Sequence, residues 1–528
     1  MVILLGAFAV FSPSAVTNVS DIAAEFESHN LIVKVHKSAV LRKVLREYGL
    51  QFNSVRRMSG GAQVGVVETH DSLADLKKTL SRVRADSRIA YLALDEATSP
   101  GFDTSTVPPP IAADDPLLQS QWQFGHSSEQ RSAINLYDAW QLTHGSAESV
   151  VAVIDSGVRF EHPDLAGRVL PGYDFVQTVA RANDGDGRDA DATDPGSGVD
   201  EAFSDAMQLS QVDCPVKHSS WHGTAIASLI AANSNDDYGM AGIDRHVNVL
   251  PVRVIGRCGG FRSDLLDAIR WSAGVIDPEL PVNPTPARII NISLAIRGAC
   301  TAADQSAIDD AVAAGALIVA GVGNDQQHLD RYPTSPSTCN NVLAVAALNA
   351  DGTLTEYSNY GTRVDIAAPG GNDLDHQNFP IITASNKGDM DALPVSLHRN
   401  YSGTSVATPL VSGVLSLMLS IDPELSSTEL SNLLMQSSRP FPQKDNGFVD
   451  CFANQCGAGM LDAALAVRNT LAYNDGSIDP EVAAAIATAA PEKIVNAVSE
   501  GGSVGPWLLV LLVLLNSQRL SKSLRVLP

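Results

Sequence analysis

Three polar residues stand where the chain passes into or out of an apolar run, and together they have the makings of a hydrolytic proton relay. Ser405 lies in YSGTSVATP, residues 401–409, directly ahead of LVSGVLSLML, whose apolar spacing predicts a helix. His222 opens a second predicted helix in SSWHGTAIASLIAA, and Asp155 closes the strand-like run VVAVIDSGV. Each has an ordinary reading when taken alone. A Ser at a helix start caps free N–H groups, an Asp after a strand caps a turn, and a lone His is more often structural than catalytic. A serine hydroxyl becomes a nucleophile only when a base takes its proton. An imidazole serves as that base when a carboxylate fixes its tautomer. The three groups need to meet only in space.

The elements that must bring them together are legible as periodicity. Between Pro116 and Ala466 the apolar strands VVAVID, VNVLPVRV, RIINISL, ALIVAGVG and NVLAVAA alternate with helical stretches. Continuous apolar strands of this kind predict an α/β fold, a parallel sheet with helices on both faces. Asp155 then sits at the carboxyl edge, where open α/β sheets build their sites. Upstream, Leu31 to Glu96 reads β-α-β-β-α-β, a small ferredoxin-like α+β module. The Pro-rich stretch PGFDTSTVPPPIAADD, residues 100–115, follows as a linker. The expected division is a signal segment over 1–16, the module over 28–98, a linker over 99–114, the α/β domain over 115–470, an Ala-rich linker over 471–500 and a tail over 501–528.

Composition narrows the function. The 528 residues carry a net charge of −23, with 45% hydrophobic and 18% charged residues. That argues for a globular protein and against nucleic acid as its partner, since phosphates are bound by Lys and Arg. The six cysteines, Cys214, Cys258, Cys300, Cys339, Cys451 and Cys456, lack the paired spacing of a zinc site and are expected as disulfides. Their count alone leaves the pairing open. The apolar start MVILLGAFAVFSPSAV agrees with export to an oxidising compartment, although no basic residue precedes its run. The loop NDGDGRDADATDP crowds Asp184, Asp186, Asp189, Asp191 and Asp194 together. It is either a solvated acidic loop or a site for a hard cation that relieves their repulsion.

DSGV, HGT and GTSVATP resemble the three signature motifs of the subtilisin-like serine proteases, the subtilases, over roughly residues 115–466. The order Asp, His, Ser is that of subtilisin, not the Ser, Asp, His of the α/β-hydrolases. The resemblance implies an orienting Asp155, a general base His222 and a nucleophile Ser405. ALIVAGVGND resembles the strand whose Asn holds the oxyanion, here Asn324, with the Ser405 N–H as second donor. A substrate peptide is expected as an added strand between Ser293, Leu294 and Ala295 on one edge and Gly259, Gly260 and Phe261 on the other. The resemblance also implies structural calcium at the acidic loop, with a weaker second site joining Asp164 to Asn235 and Asp236. It further implies the pairs Cys214–Cys258, Cys300–Cys339 and Cys451–Cys456, and an amino-terminal module acting as an intramolecular inhibitor. Departures from the family pattern fall at Ala225, Ser228, Val406, Ala295 and Ile296. GGSVGPWLLVLLVLLNSQRL resembles a GlyGly-CTERM sorting tail, which implies a sorting protease and release at the surface of a Gram-negative cell. The expected protein is a monomeric secreted endopeptidase acting on proteins or peptides. Its alternative is a catalytically silent binding protein on the same fold.

Overall fold

The computed structural model describes residues 29–36, 41–68, 73–94, 97–100, 117–209, 214–372, 379–442, 451 and 455–477. The expected signal segment, most of the first linker, and the tail lie outside the described residues.

Seven parallel strands form the central sheet, in the order β15-β14-β12-β10-β6-β8-β7. They are β6 (Val150–Asp155), β7 (Tyr173–Asp174), β8 (Asn248–Arg253), β10 (Ile289–Ile292), β12 (Leu317–Gly321), β14 (Val342–Leu348) and β15 (Ile366–Pro369). Their unbroken apolar runs are explained by burial on both faces. From β6 the chain builds β7 and β8 on one side and β10 on the other, so Asp155 ends its strand at the switch point.

One face of the sheet carries α4 (His222–Ala231) and α7 (Thr404–Ile421), packed on each other. The other carries α5 (Arg262–Ser272) and α6 (Ala302–Ala313). α7 is long and apolar enough to cross a membrane, but 89% of it is buried inside the domain, as a core helix. Gly223 lets α4 approach the end of β6, because a Cβ there would collide with the carbonyl of Gly157. Pro409 lies inside α7 and has no N–H to give to the carbonyl four residues back, that of Ser405. Ser293 Oγ makes that bond instead, at 2.8 Å.

The amino-terminal module has the expected order: β1 (His29–Val35), α1 (Leu41–Glu47), β2 (Gln51–Arg57), β3 (Gln63–Glu68), α2 (Leu73–Arg84) and β4 (Ile89–Leu94). Its antiparallel sheet runs β2-β3-β1-β4. Strand alternation gives it two apolar faces. Leu31 and Val33 join Val44, Leu45 and Leu80 in the module's own core, while Ile32, Met58 and Val64 pack with residues of α5 and α6.

Past the module, β5 (Ala97–Pro100) enters a sheet of order β13-β11-β5-β9, between β11 (Leu294–Arg297) and β9 (Gly260–Phe261). β13 (Thr334–Ser335) completes it, and β16 (Ile381–Asn386) forms a hairpin with β17 (Ser396–Tyr401) that leads into α7. Three disulfides pair Cys214 with Cys258, Cys300 with Cys339 and Cys451 with Cys456, as the resemblance implied.

Candidate active site

Asp155 and His222 meet at the end of β6, both fully buried. His222 Nδ1 lies 2.6 and 2.7 Å from the two carboxylate oxygens. A carboxylate only accepts here, so Nδ1 is the ring nitrogen that carries a proton toward Asp155. Asp155 Oδ1 also accepts from the N–H of Ser156 at 2.7 Å, which fixes the carboxylate in turn.

Ser405 is the second residue of α7, and its hydroxyl is not a cap. The helix has Gly403 at its N-cap with no side-chain capping bond. Ser405 Oγ is buried and has no hydrogen-bond partner among the described residues. A buried hydroxyl without a partner is costly, which marks it as held for something other than local structure.

Asn324, just beyond β12, is clamped by Thr404. Its Oδ1 accepts from the Thr404 N–H and from Thr404 Oγ1, both at 2.9 Å. The backbone N–H can only donate, so the oxygen is the clamped end and the NH2 group is the presented one. Ser293 completes the surroundings: it accepts from Asn291 Nδ2 at 3.0 Å while donating to the Ser405 carbonyl, and Ser412 Oγ anchors Asn291 at 2.9 Å.

The two expected peptide edges both hold β5. Leu294 pairs with Pro100 and Ala295 with Ser99 on one side, while Phe261 pairs with Ala97 and Gly260 with Thr98 on the other. Gly259 pairs instead across its own turn with Gly256. At the positions that depart from the family pattern, Ala225, Val406 and Ile296 are buried. Ser228 Oγ joins α4 to the hairpin by donating to the Ala225 carbonyl and accepting from the Ala384 N–H. None of these residues is a member of the Asp155, His222, Ser405 and Asn324 set, and Ala295 lies on the edge that pairs with β5.

The acidic loop is divided. Asp184, Asp189 and Asp191 together push the Asp186 carboxyl upward, Asp189 most strongly. Asp184 also shares the Arg253 guanidinium with Asp174. Asp194 turns inward and is fully buried, accepting from Ser156 Oγ at 2.7 Å and from the Gly196 N–H at 2.9 Å. Burial raises its carboxyl to about 6 against the Ser156 hydrogen bond. Ser156 also accepts from the Gly223 N–H at 3.0 Å, so one hydroxyl ties the loop to the start of α4.

Asp164 groups with two histidines among the described residues. Its Oδ2 takes His398 Nε2 at 2.6 Å, and with His162 it forms a buried, nitrogen-rich group unlike the oxygen shell of a hard cation. The carboxylate of Asp236 accepts locally from the Tyr238 N–H instead.

Residues 146–459 match the model of the subtilase family. The chain belongs to that family. It is 35% identical over 463 residues to an extracellular protease of Xanthomonas campestris pv. campestris, covering 88% of this chain and 71% of that one. It is 34% identical over 442 residues to an extracellular basic protease of Dichelobacter nodosus, covering 82% and 67%. A solved protease structure from Pseudoalteromonas arctica is 36% identical, with a TM-score of 0.61, over 68% of this chain and 100% of that one. Fervidolysin from Fervidobacterium pennivorans, at 20% identity and a TM-score of 0.56, shares the fold. This subtilase is a serine-type endopeptidase, and subtilases as a family commonly bind structural calcium. The sequence reading missed the clamp by Thr404, the bridge by Ser156 and the inward turn of Asp194. Only the first two had a signal, as residues inside the GTS and DSG motifs.

Proposed function

We propose that Ser405, His222, Asp155 and Asn324 are the working groups of a secreted endopeptidase. The observation that carries this is the buried His222 whose Nδ1 faces both oxygens of Asp155. Ser405 Oγ attacks the scissile carbonyl carbon as its proton passes to His222 Nε2, and Asp155 stabilises the imidazolium. The oxyanion takes hydrogen bonds from Asn324 Nδ2 and the Ser405 N–H. The C–N bond then breaks, with the His222 proton leaving on the amine. Water repeats the sequence on the acyl-enzyme, with His222 again the base. The silent-scaffold alternative gains no support from this arrangement.

The module over 28–98 is read as a propeptide. Its support is β5, which lies as an added strand between the same two edges that a substrate peptide would use. Calcium is assigned to Asp184, Asp186, Asp189 and Asp191, all-oxygen donors whose repulsion at Asp186 a hard cation relieves. Asp194 is left out, since both its oxygens are satisfied inside. The names of the relatives support secretion, and the GlyGly-CTERM-like tail supports transient anchoring in a Gram-negative inner membrane before release by a sorting protease. Intact mass of the exported enzyme checks the tail: a carboxyl terminus near 501–505 is expected, and an end at Pro528 contradicts it.

The catalytic reading is tested with wild-type and Ser405→Ala precursors expressed in a protease-deficient host. Wild type is expected to cut itself in the linker between Ala97 and Asp115 and to digest an unfolded protein substrate. Ser405→Ala is expected to do neither. Digestion at the wild-type rate by the variant overturns the assignment.

A further inference from the structure

Among the contacts between the module and the enzyme domain is a compact set of four charges. Asp264 and Asp267 stand three residues apart on α5, so their carboxylates share one face. Arg188, from the acidic loop, donates from Nη2 to Asp264 Oδ1 at 2.6 Å and from Nη1 to Asp267 Oδ2 at 2.9 Å. Arg56, on β2 of the module, donates to the same two oxygens, at 3.1 and 2.5 Å. The Ser59 N–H and Oγ, also from the module, donate to Asp267 Oδ1 at 3.0 and 2.7 Å. The Asp264 and Asp267 side chains are 2% and 1% exposed, and that of Arg56 is 13% exposed. Met58 and Ala62 beside them are fully buried against the enzyme domain.

The charges balance only while the module is docked. Two carboxylates face two guanidiniums. Without Arg56 the docked face would cover an uncompensated negative charge, whereas in the undocked enzyme water solvates it. The penalty for losing Arg56 therefore falls on the docked state alone, which is the condition for a recognition residue. The planar fork of Arg56 reaches both carboxylates at once, one terminal nitrogen to each.

We propose that the Asp264–Asp267 pair is a guanidinium-binding exosite outside the active cleft, and that Arg56 of the protein's own module is its occupant. The pair holds the module on the enzyme after the linker is cut and so sets how long inhibition outlasts cleavage. This rests on reading the module as a propeptide.

Full-length precursors carrying Arg56→Met or Arg56→Lys test it, because after cleavage the enzyme portion is identical to wild type. Three quantities are followed: linker cutting by intact mass, co-elution of the cut module with the enzyme, and the lag before a fluorogenic peptide is hydrolysed. Arg56→Met is expected to be cut, to lose co-elution and to shorten the lag roughly 10-fold or more. Arg56→Lys is expected to fall between it and wild type. Asp267→Asn in the enzyme portion shortens the lag as well, and adding it to Arg56→Met brings little further change. A cut Arg56→Met precursor with wild-type co-elution and lag overturns the proposal. Should Arg56→Met fail to fold, a wild-type lag in Arg56→Lys overturns it and a shortened one supports it. A wild-type precursor left uncut in the linker removes the propeptide reading and this proposal with it.

Discussion

Ser405 owes its position to a bond that its own helix withholds. Pro409 leaves the Ser405 carbonyl without its helical donor, and Ser293 supplies one across the fold. Ser293→Ala should therefore cost about 1–3 kcal/mol, the usual cost of a stranded buried acceptor. Pro409→Ala should restore much of it, since an alanine N–H can reach that carbonyl. Thermal unfolding in a Ser405→Ala background, which prevents autolysis, checks this, and strictly additive effects would contradict the linkage. Asn324→Ala should lower kcat by on the order of 10²–10³ with little change in KM, the size measured for such a donor in subtilisin itself. A kcat within about 2-fold of wild type would remove Asn324 from the oxyanion site. At this scale the sequence is most legible where the chemistry is packed into a short motif. Ser405, His222 and Asp155 announce themselves by type and neighbours. Ser293 reads as a substrate-edge residue, and its hold on Ser405 is invisible because the two lie 112 residues apart.

Among the elements, the acidic loop separates two behaviours that its sequence runs together. Asp194, buried, keeps its proton up to about pH 6 in the folded state but releases it near 4 when unfolded. Between those values the folded state binds more protons, so this group's contribution to stability falls as pH rises from about 4 to about 6. Asp194→Asn should abolish that slope, which amounts to on the order of 3 kcal/mol across the window. Unfolding curves at several pH values, again in Ser405→Ala, decide it: parallel pH profiles for the two proteins would contradict the assignment. Chelation should lower Tm by about 5 °C or more, since a cation bound only to the folded state stabilises it. Asp186→Asn should lose that response and Asp194→Asn should keep it. An unchanged melting temperature with excess chelator rules out calcium at the loop. The sheet strands and the module were readable because buried parallel strands stay apolar throughout and helices repeat every three to four residues. Tyr173–Asp174, only two residues long, and the insertion of β5 between two distant edges had no such periodicity to betray them.

Across the whole molecule, the amino-terminal module packs on α5 and α6, and the strand that follows it, β5, lies between the two edges proposed to hold a substrate peptide. All of this depends on one atom, Ser405 Oγ. Treating the matured enzyme with a fluorophosphonate and mapping the adduct by peptide mass spectrometry tests it directly. The account predicts a single label on the peptide containing Ser405, complete loss of hydrolysis once labelling is complete, and no label on Ser405→Ala. A label on another residue, or full hydrolysis by fully labelled enzyme, would contradict it.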